Sequence, residues 1–181
     1  MNVSNSKLLI VSFKRRDIMK TCCVTGNRPQ KFPWKYGEGK EHKKYLTNME
    51  RQIEELIESG YTYFISGGAL GVDQDFAEAV LRAKQVHAGI ELEIAVPCRN
   101  QTARWSEAER LRYLSILEHA DQVEVLSEHF TRYCMLKRNE YMVDKSDLVL
   151  VYWNGEESGG TWYTMQYANR RMKTLTIIRL N

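Results

Sequence analysis

A glycine-rich stretch, residues 66–73, is the segment of the sequence best suited to hold an anion. It follows an apolar run and precedes a helical pattern, and it contains three glycines within five residues. Because each glycine costs backbone entropy, a simple turn does not need so many. A strand, a glycine-rich turn and a helix start direct several N–H groups and the positive helix end toward one point, which favours phosphate binding. The spacing matches neither G-x-G-x-x-G nor a Walker A loop.

A second glycine-rich junction lies near the end of the chain, where Gly159-Gly160-Thr161 follows an apolar run and opens a helical pattern. Thr161 is suited to cap that helix, and its hydroxyl is also suited to bind a phosphate oxygen. Asp73, at the end of the first stretch, has two roles open to it. We favour helix capping over acceptance of a hydrogen bond from a sugar hydroxyl.

Three further segments carry polar side chains at expected strand ends or on a helix. Gly26 and Arg28 follow the first apolar run, and Arg28 is either a forked ligand for a phosphate or a solvated turn residue. Trp105 lies in a loop after the third run, and we favour a cover for the sheet edge over a platform for a base. The helix with Asn139 and Asp144 either lines a cleft or presents a solvated face.

The elements that position these residues alternate along the chain. Six short, mostly continuous apolar runs predict strands buried on both faces, and segments of helical periodicity separate them. The runs are residues 21–25, 61–66, 92–97, 122–126, 148–153 and 175–180. This order predicts a Rossmann-like, three-layer α/β/α sandwich with a mostly parallel sheet, formed by a single domain over residues 19–181. Ligands of such sheets bind at the carboxyl ends of the strands. Residues 1–18 are interpreted as an N-terminal extension.

The charge and the cysteine content bear on which classes of protein the sequence fits. A net charge of +3 over 181 residues gives little support to a nucleic-acid-binding protein, although a local basic patch is compatible with it. The four cysteines form no CxxC pair and no zinc spacing, so we expect reduced core thiols in a cytoplasmic protein without a metal. We interpret the four histidines as surface residues. No run is long enough to span a membrane.

These motifs, in their order and spacing, resemble the SLOG superfamily and within it the YpsA-like branch. The resemblance covers residues 19–181. The stretch at 66–73 is also similar to the DNA-processing protein A family, and Gly159-Gly160-Thr161 to the LONELY GUY phosphoribohydrolases. The resemblance implies a Rossmann-like fold that binds a nucleotide or a nucleotide-derived ligand such as an ADP-ribose-like molecule. The ligand-binding positions that we expect are Gly26, Arg28, Ser66, Gly67, Gly68, Ala69, Gly71, Asp73, Asn139, Asp144, Gly159, Gly160 and Thr161.

The chain departs from the hydrolase branch at one position. Those enzymes carry a glutamate three residues after the threonine of their Gly-x-Gly-Thr motif, whereas this chain has Thr164 there. We therefore expect a sensor or regulatory domain that binds a small-molecule ligand and whose bound state is read by partner proteins. A homo-oligomer is compatible with this expectation.

Two alternatives stay open at this point. The first is a nucleoside phosphate N-ribosyl hydrolase, with Asp73, Glu140 and Asp144 as the available acids or bases. The second is a single-stranded DNA-binding protein resembling DNA-processing protein A, with Arg99, Arg104 and Trp105 among its contacts.

Overall fold

The computed structural model describes residues 19–181, so the extension expected at residues 1–18 lies outside the described residues. Six strands and five helices alternate along this part of the chain. The strands are Lys20–Gly26 (β1), Tyr61–Ser66 (β2), Glu91–Val96 (β3), Gln122–Val125 (β4), Leu148–Trp153 (β5) and Thr174–Arg179 (β6). The helices are Gly39–Glu58 (α1), Val72–Lys84 (α2), Glu107–His119 (α3), Cys134–Lys145 (α4) and Gly159–Arg170 (α5).

The strands form one sheet in the order β4-β3-β2-β1-β5-β6, and every neighbouring pair is parallel. The Rossmann-like α/β fold expected from the sequence is therefore confirmed. After β4 the chain returns to the centre of the sheet, and β5 pairs with β1. The strand order thus reverses between β1 and β5, the place where open parallel sheets bind their ligands.

Both faces of the sheet are covered, which explains the continuous apolar runs. Alternate residues of the central strands pack against α1, α2 and α3 on one face, where Phe64 meets Phe76. The intervening residues, such as Ile65 and Val151, pack with residues of α4 and α5 on the other face. Successive side chains of a strand point to opposite faces, so a strand covered on both sides must be apolar at nearly every position.

The helix ends agree with the sequence at some positions and correct it at others. Ser106 caps α3 in a full capping box with Glu109, as expected. Asp73 is not a helix cap, because α2 begins at Val72 after the N-cap Gly71 and the Asp73 carboxylate turns back to the Ala69 N–H. Thr161 is not a cap either, because α5 begins two residues earlier, after Ser158.

Gly71 is held in a conformation that a residue with a side chain would not tolerate. Its φ is 92° and its ψ is −129°, and a Cβ there would lie 2.7 Å from the Asn27 backbone oxygen. We expect Gly71→Ala to lower the free energy of unfolding by about 2 kcal/mol, from backbone strain and overpacking together. Urea denaturation measures this change.

The matched control is Gly60→Ala. Gly60 also has a positive φ, 88°, but a Cβ there would have no neighbour within 4 Å. This substitution should cost only about 1 kcal/mol, for backbone conformation alone. Equal losses at Gly60 and Gly71 would show that the close approach to Asn27 is unimportant.

Candidate functional site

A cavity of about 390 Å³ lies where the carboxyl ends of β1 and β2 meet the first turns of α4 and α5. The glycine-rich turn after β2 forms one wall, and the start of α5 forms another. The cavity therefore lies beside the reversal of strand order between β1 and β5. Its volume is within the usual range for small-molecule sites.

Asn27 joins the segments that surround the cavity. Its backbone N–H donates to Tyr152 at 3.2 Å, and its backbone oxygen accepts from Val72, the first residue of α2, at 3.4 Å. Its side-chain oxygen accepts from the Asn154 N–H at 2.8 Å, in the segment that leads to α5. Asn27 is buried. One side chain and its peptide groups thus fix the ends of β1 and β5 and the start of α2 relative to one another.

The glycines after β2 face protein more than they face the cavity. A Cβ on Gly67 would collide with the guanidinium of Arg138, and one on Gly68 would lie 2.7 Å from the ring of Tyr113. The Gly68 N–H donates to the Ser66 hydroxyl at 3.1 Å, and the Ala69 N–H donates to Asp73 at 3.3 Å. Close packing therefore accounts for these two glycines, and two amides of the turn are already bonded within the protein.

A buried ion pair forms the base of the cavity. Arg138 and Asp73 are 5% and 7% exposed, and a guanidinium nitrogen lies 3.6 Å from the carboxylate. The same guanidinium donates to the Gly67 carbonyl. Burial raises the pKa of Asp73, and the charges of Arg138 and Arg28 oppose that rise. Burial also lowers the pKa of Arg138, which the Asp73 charge opposes.

A chain of hydrogen bonds connects this pair to the start of α5. The Arg138 Nε donates to Asn139 at 2.8 Å, and the Asn139 amide nitrogen donates to the Thr164 hydroxyl at 2.9 Å. The Thr164 hydroxyl donates to the Gly160 carbonyl at 2.7 Å. Thr164 occupies the position at which the similar hydrolases carry glutamate, and it is 2% exposed. At this position the chain thus has a structural hydroxyl in place of a carboxylate.

The cavity wall carries an excess of positive charge. Four basic side chains and one acidic side chain line it, namely Arg28, Lys31, Arg132, Arg138 and Asp73. Lys31 pairs with Glu156 outside the cavity, and Arg138 pairs with Asp73. Within residues 19–181, Arg28 and Arg132 have no acidic partner within ion-pair distance, and no side chain caps α5. Two free guanidinium groups and the positive end of a helix therefore face the same space.

The structure brings together eight of the thirteen positions expected from the sequence. Those that line the cavity are Gly26, Arg28, Ala69, Asp73, Asn139, Gly159, Gly160 and Thr161. Four others form the turn behind it, namely Ser66, Gly67, Gly68 and Gly71. Asp144 lies elsewhere, because it is at the far end of α4, where it pairs with Arg171 at 2.8 Å.

The three carboxylates considered for hydrolysis, Asp73, Glu140 and Asp144, do not lie together at the cavity. Of the three, only Asp73 lines the cavity, and it is paired with Arg138. Glu140 accepts a hydrogen bond from the Tyr163 hydroxyl, and Asp144 accepts one from Arg171. Among the described residues, the cavity therefore has no acid beside the paired Asp73.

Several residues that line the cavity were not anticipated from the sequence. Lys31 follows Arg28 by one 3₁₀ turn, and that spacing was the available signal. Arg132 precedes α4 and Met135 lies in its first turn, whereas Ser158 precedes α5. Nothing in the residue types at 132 or 135 marks them, because their position depends on how α4 packs against the sheet.

His42 and all four cysteines are buried. The surface assignment is wrong for His42, which is 7% exposed and packs among Phe32, Tyr36 and Tyr45 because it lies on the inner face of α1. The four cysteines are free and buried, as expected for core thiols.

In residues 19–181, no group of three or more His, Cys, Asp or Glu side chains is placed to hold a metal ion. No helix in the same range combines the length and apolar character that a membrane crossing requires.

Comparison with known proteins identifies the family. The YspA SLOG family model, named YpsA, matches residues 22–180. A UPF0398 protein of Halalkalibacterium halodurans is 37% identical over 126 residues, which cover 68% of this chain and 67% of that protein. The SPbeta prophage-derived protein YoqJ of Bacillus subtilis is 37% identical over 131 residues, 65% of this chain and 76% of its own. The UPF0398 protein YpsA of Bacillus subtilis is 24% identical over 159 residues, 84% of this chain and 86% of its own. The fold, the two glycine-rich junctions and these matches together show that the chain belongs to the YpsA-like SLOG family.

Proposed function

We propose that this protein binds a nucleotide or a nucleotide-derived phosphate compound in the cavity beside β1 and β5, and that it acts as a sensor or regulatory domain. The observation that carries the proposal is the unbalanced positive charge of the wall. Arg28 and Arg132 have no acidic partner among the described residues, and they face the same cavity as the uncapped start of α5. Such a helix start and arginine forks are the groups that proteins use to bind phosphate.

The size and the polar groups of the cavity favour a ligand larger than inorganic phosphate. About 390 Å³ is more than one phosphate group fills. Thr161 lines its wall and supplies a hydroxyl, a group that suits the hydroxyls of a ribose. Asn139 lines the wall as well, but its amide already bonds Arg138 and Thr164. The ADP-ribose-like class fits this combination of charge and hydrogen-bonding groups.

The regulatory role is supported by the arrangement of the acids. General acid–base cleavage of a glycosidic bond needs a carboxyl group within hydrogen-bond reach of the sugar. Asp73 is engaged with Arg138 and Ala69, and Thr164 replaces the carboxylate of the similar hydrolases. A site that holds its ligand without cleaving it is suited to report the ligand's concentration to another protein.

A thermal-denaturation screen tests the proposal. The probes are inorganic phosphate, ribose 5-phosphate, AMP, ADP-ribose and, as the matched control without phosphate, adenosine. A probe present at a hundredfold its dissociation constant should stabilise the protein by about 2.7 kcal/mol. We expect AMP or ADP-ribose to stabilise it and adenosine to have no effect.

Three results would contradict the proposal. The first is the absence of a shift with every phosphorylated probe, and the second is an equal shift with AMP and adenosine. The third is release of free adenine from AMP, measured by chromatography of the same samples, which would make the protein a hydrolase. Stabilisation by a thymidine oligonucleotide alone would favour the DNA-binding alternative.

A further inference from the structure

A second hollow adjoins the cationic cavity and differs from it in chemistry. Its volume is about 510 Å³, and it is lined by the loop that precedes α3 and the segment that precedes α4. Arg28 and Met135 line both spaces, so the two are neighbours across these side chains. We call the second space the aromatic hollow, because Trp105 and Phe130 lie in its wall.

The Trp105 ring is held in position by its contact with Tyr113. Its ring contacts Tyr113 in a perpendicular arrangement with the ring centroids 5.3 Å apart. Tyr113 is buried, lies against Gly68 and accepts a hydrogen bond from the Gln101 amide at 2.6 Å. Trp105 is itself only partly buried, so its ring both packs on the core and lines the hollow. The edge-cover role favoured from the sequence and the platform role are thus compatible.

Phe130, in the wall of the aromatic hollow, is unusually exposed for a phenylalanine. It is 60% exposed, although burial of a phenylalanine side chain is favourable by about 1.5–3 kcal/mol. Met135 supplies an adaptable apolar surface beside it, and Asn100 and Gln101 supply amide groups. Aromatic faces with amides at their margin are the means by which proteins hold a planar base while they bond its polar edge.

We infer that the aromatic hollow binds the base of the ligand whose phosphate lies in the cationic cavity, with Phe130 and Trp105 as the stacking surfaces. This inference rests on the proposed function, and it adds the place where the base of the ligand is held and the side chains that hold it. Arg28 lies between the two spaces and is placed to contact the phosphate from one side.

Titration calorimetry with two probes tests the inference. Ribose 5-phosphate carries only the part of the ligand assigned to the cationic cavity, whereas AMP also carries a base. In the unsubstituted protein AMP should bind about 5- to 150-fold more tightly than ribose 5-phosphate, the range that base–aromatic stacking supplies. In Phe130→Ala most of this advantage should disappear, while the affinity for ribose 5-phosphate stays unchanged.

The matched control is Leu111→Ala. Leu111 is also 60% exposed, lies on α3 and lines neither space. It should leave both affinities unchanged. A second measurement uses tryptophan fluorescence, which AMP should quench in the unsubstituted protein. This quenching should be lost in Trp105→Phe, which keeps an aromatic ring against Tyr113.

The outcomes separate the inference from the function on which it rests. If both probes bind equally well, or if Phe130→Ala and Leu111→Ala weaken AMP binding to the same extent, the base subsite is refuted while phosphate binding stands. If neither probe binds, the proposed function and the base subsite both fail.

Discussion

Replacing Arg138 with leucine should lower the free energy of unfolding by about 3–5 kcal/mol, the usual cost of breaking a buried ion pair from one side. Arg138 is 5% exposed, and its removal leaves the Asp73 carboxylate without its buried counter-charge and the Gly67 carbonyl without its donor. It also interrupts the bonds that run through Asn139 and Thr164 to the start of α5. Urea denaturation at neutral pH measures the loss.

The loss in Arg138→Leu should depend on pH in a defined direction. Burial raises the pKa of Asp73 above its ordinary value, and the variant removes Arg138, which opposes that rise. The charged carboxylate is therefore disfavoured in the folded state. This penalty is fully present above the folded-state pKa, and it decreases to zero as the pH falls from that pKa to the ordinary pKa of the unfolded state. The stability difference between variant and unsubstituted protein should thus shrink in acid.

Two further variants control for loss of the ion pair. Arg132→Leu removes an exposed arginine from the wall of the same cavity and should change stability by less than about 0.5 kcal/mol. Asp73→Asn in the Arg138→Leu background removes the stranded charge and should recover part of the loss at neutral pH. If Arg138→Leu were as stable as Arg132→Leu, or if its deficit grew in acid, the pair would have no role in holding the base of the cavity.

The order of the strands and helices could be predicted because burial of a strand on both faces produces a continuous apolar run in the sequence. A strand covered by helices on two sides must be apolar at nearly every position, as in β5, and that run is visible without any knowledge of its neighbours. The capping box of α3 is local in the same sense, since Ser106 and Glu109 satisfy each other's backbone groups within one turn. The N-cap of α5 was misplaced by three residues, because Ser158, Gly159 and Thr161 are all acceptable N-cap residues.

The site was harder to predict because its contacts are distant in sequence. Arg138 and the Gly67 carbonyl are 71 residues apart, and the residue types of α4 are equally compatible with a solvated face. Helix geometry does separate Asn139 from Asp144. Five residues correspond to roughly 140° around the axis and about 7.5 Å along it. Because α4 begins at the carboxyl edge of the sheet, Asp144 is carried toward the opposite edge, where its neighbour Asp147 bonds the start of β1.

The glycines of residues 66–73 show how one pattern can have a cause other than the expected one. Their number indicated an anion site, but Gly67 and Gly68 are small because Arg138 and Tyr113 occupy the space of their side chains. Sequence cannot distinguish a backbone that approaches a ligand from one that approaches a guanidinium. The first turn of α5, Arg28 and Arg132 are left as the principal groups that face the cavity without a partner for every donor.

Reversing the charge of Arg28 should therefore weaken the binding of AMP more than a hundredfold. Arg28 lines both the cationic cavity and the aromatic hollow, and within residues 19–181 it has no acidic partner. A hydrogen bond to a charged group contributes about 1.5–3 kcal/mol. Arg28→Glu loses that contribution and adds repulsion between like charges. Titration calorimetry measures the affinity, and the folding of the variant is checked by its melting temperature, because Arg28 is exposed.

The same change of charge at Arg170 is the matched control. Arg170 is exposed at the far end of α5 and lines neither space, so Arg170→Glu tests the effect of net charge alone. It should weaken AMP only slightly, and less so in high salt. Arg28→Lys should fall between the two, because it keeps the charge and loses the forked geometry. Equal losses from Arg28→Glu and Arg170→Glu would mean that the affinity for AMP depends on the overall charge of the protein. The proposal that the cavity beside β1 binds the phosphate would then be wrong.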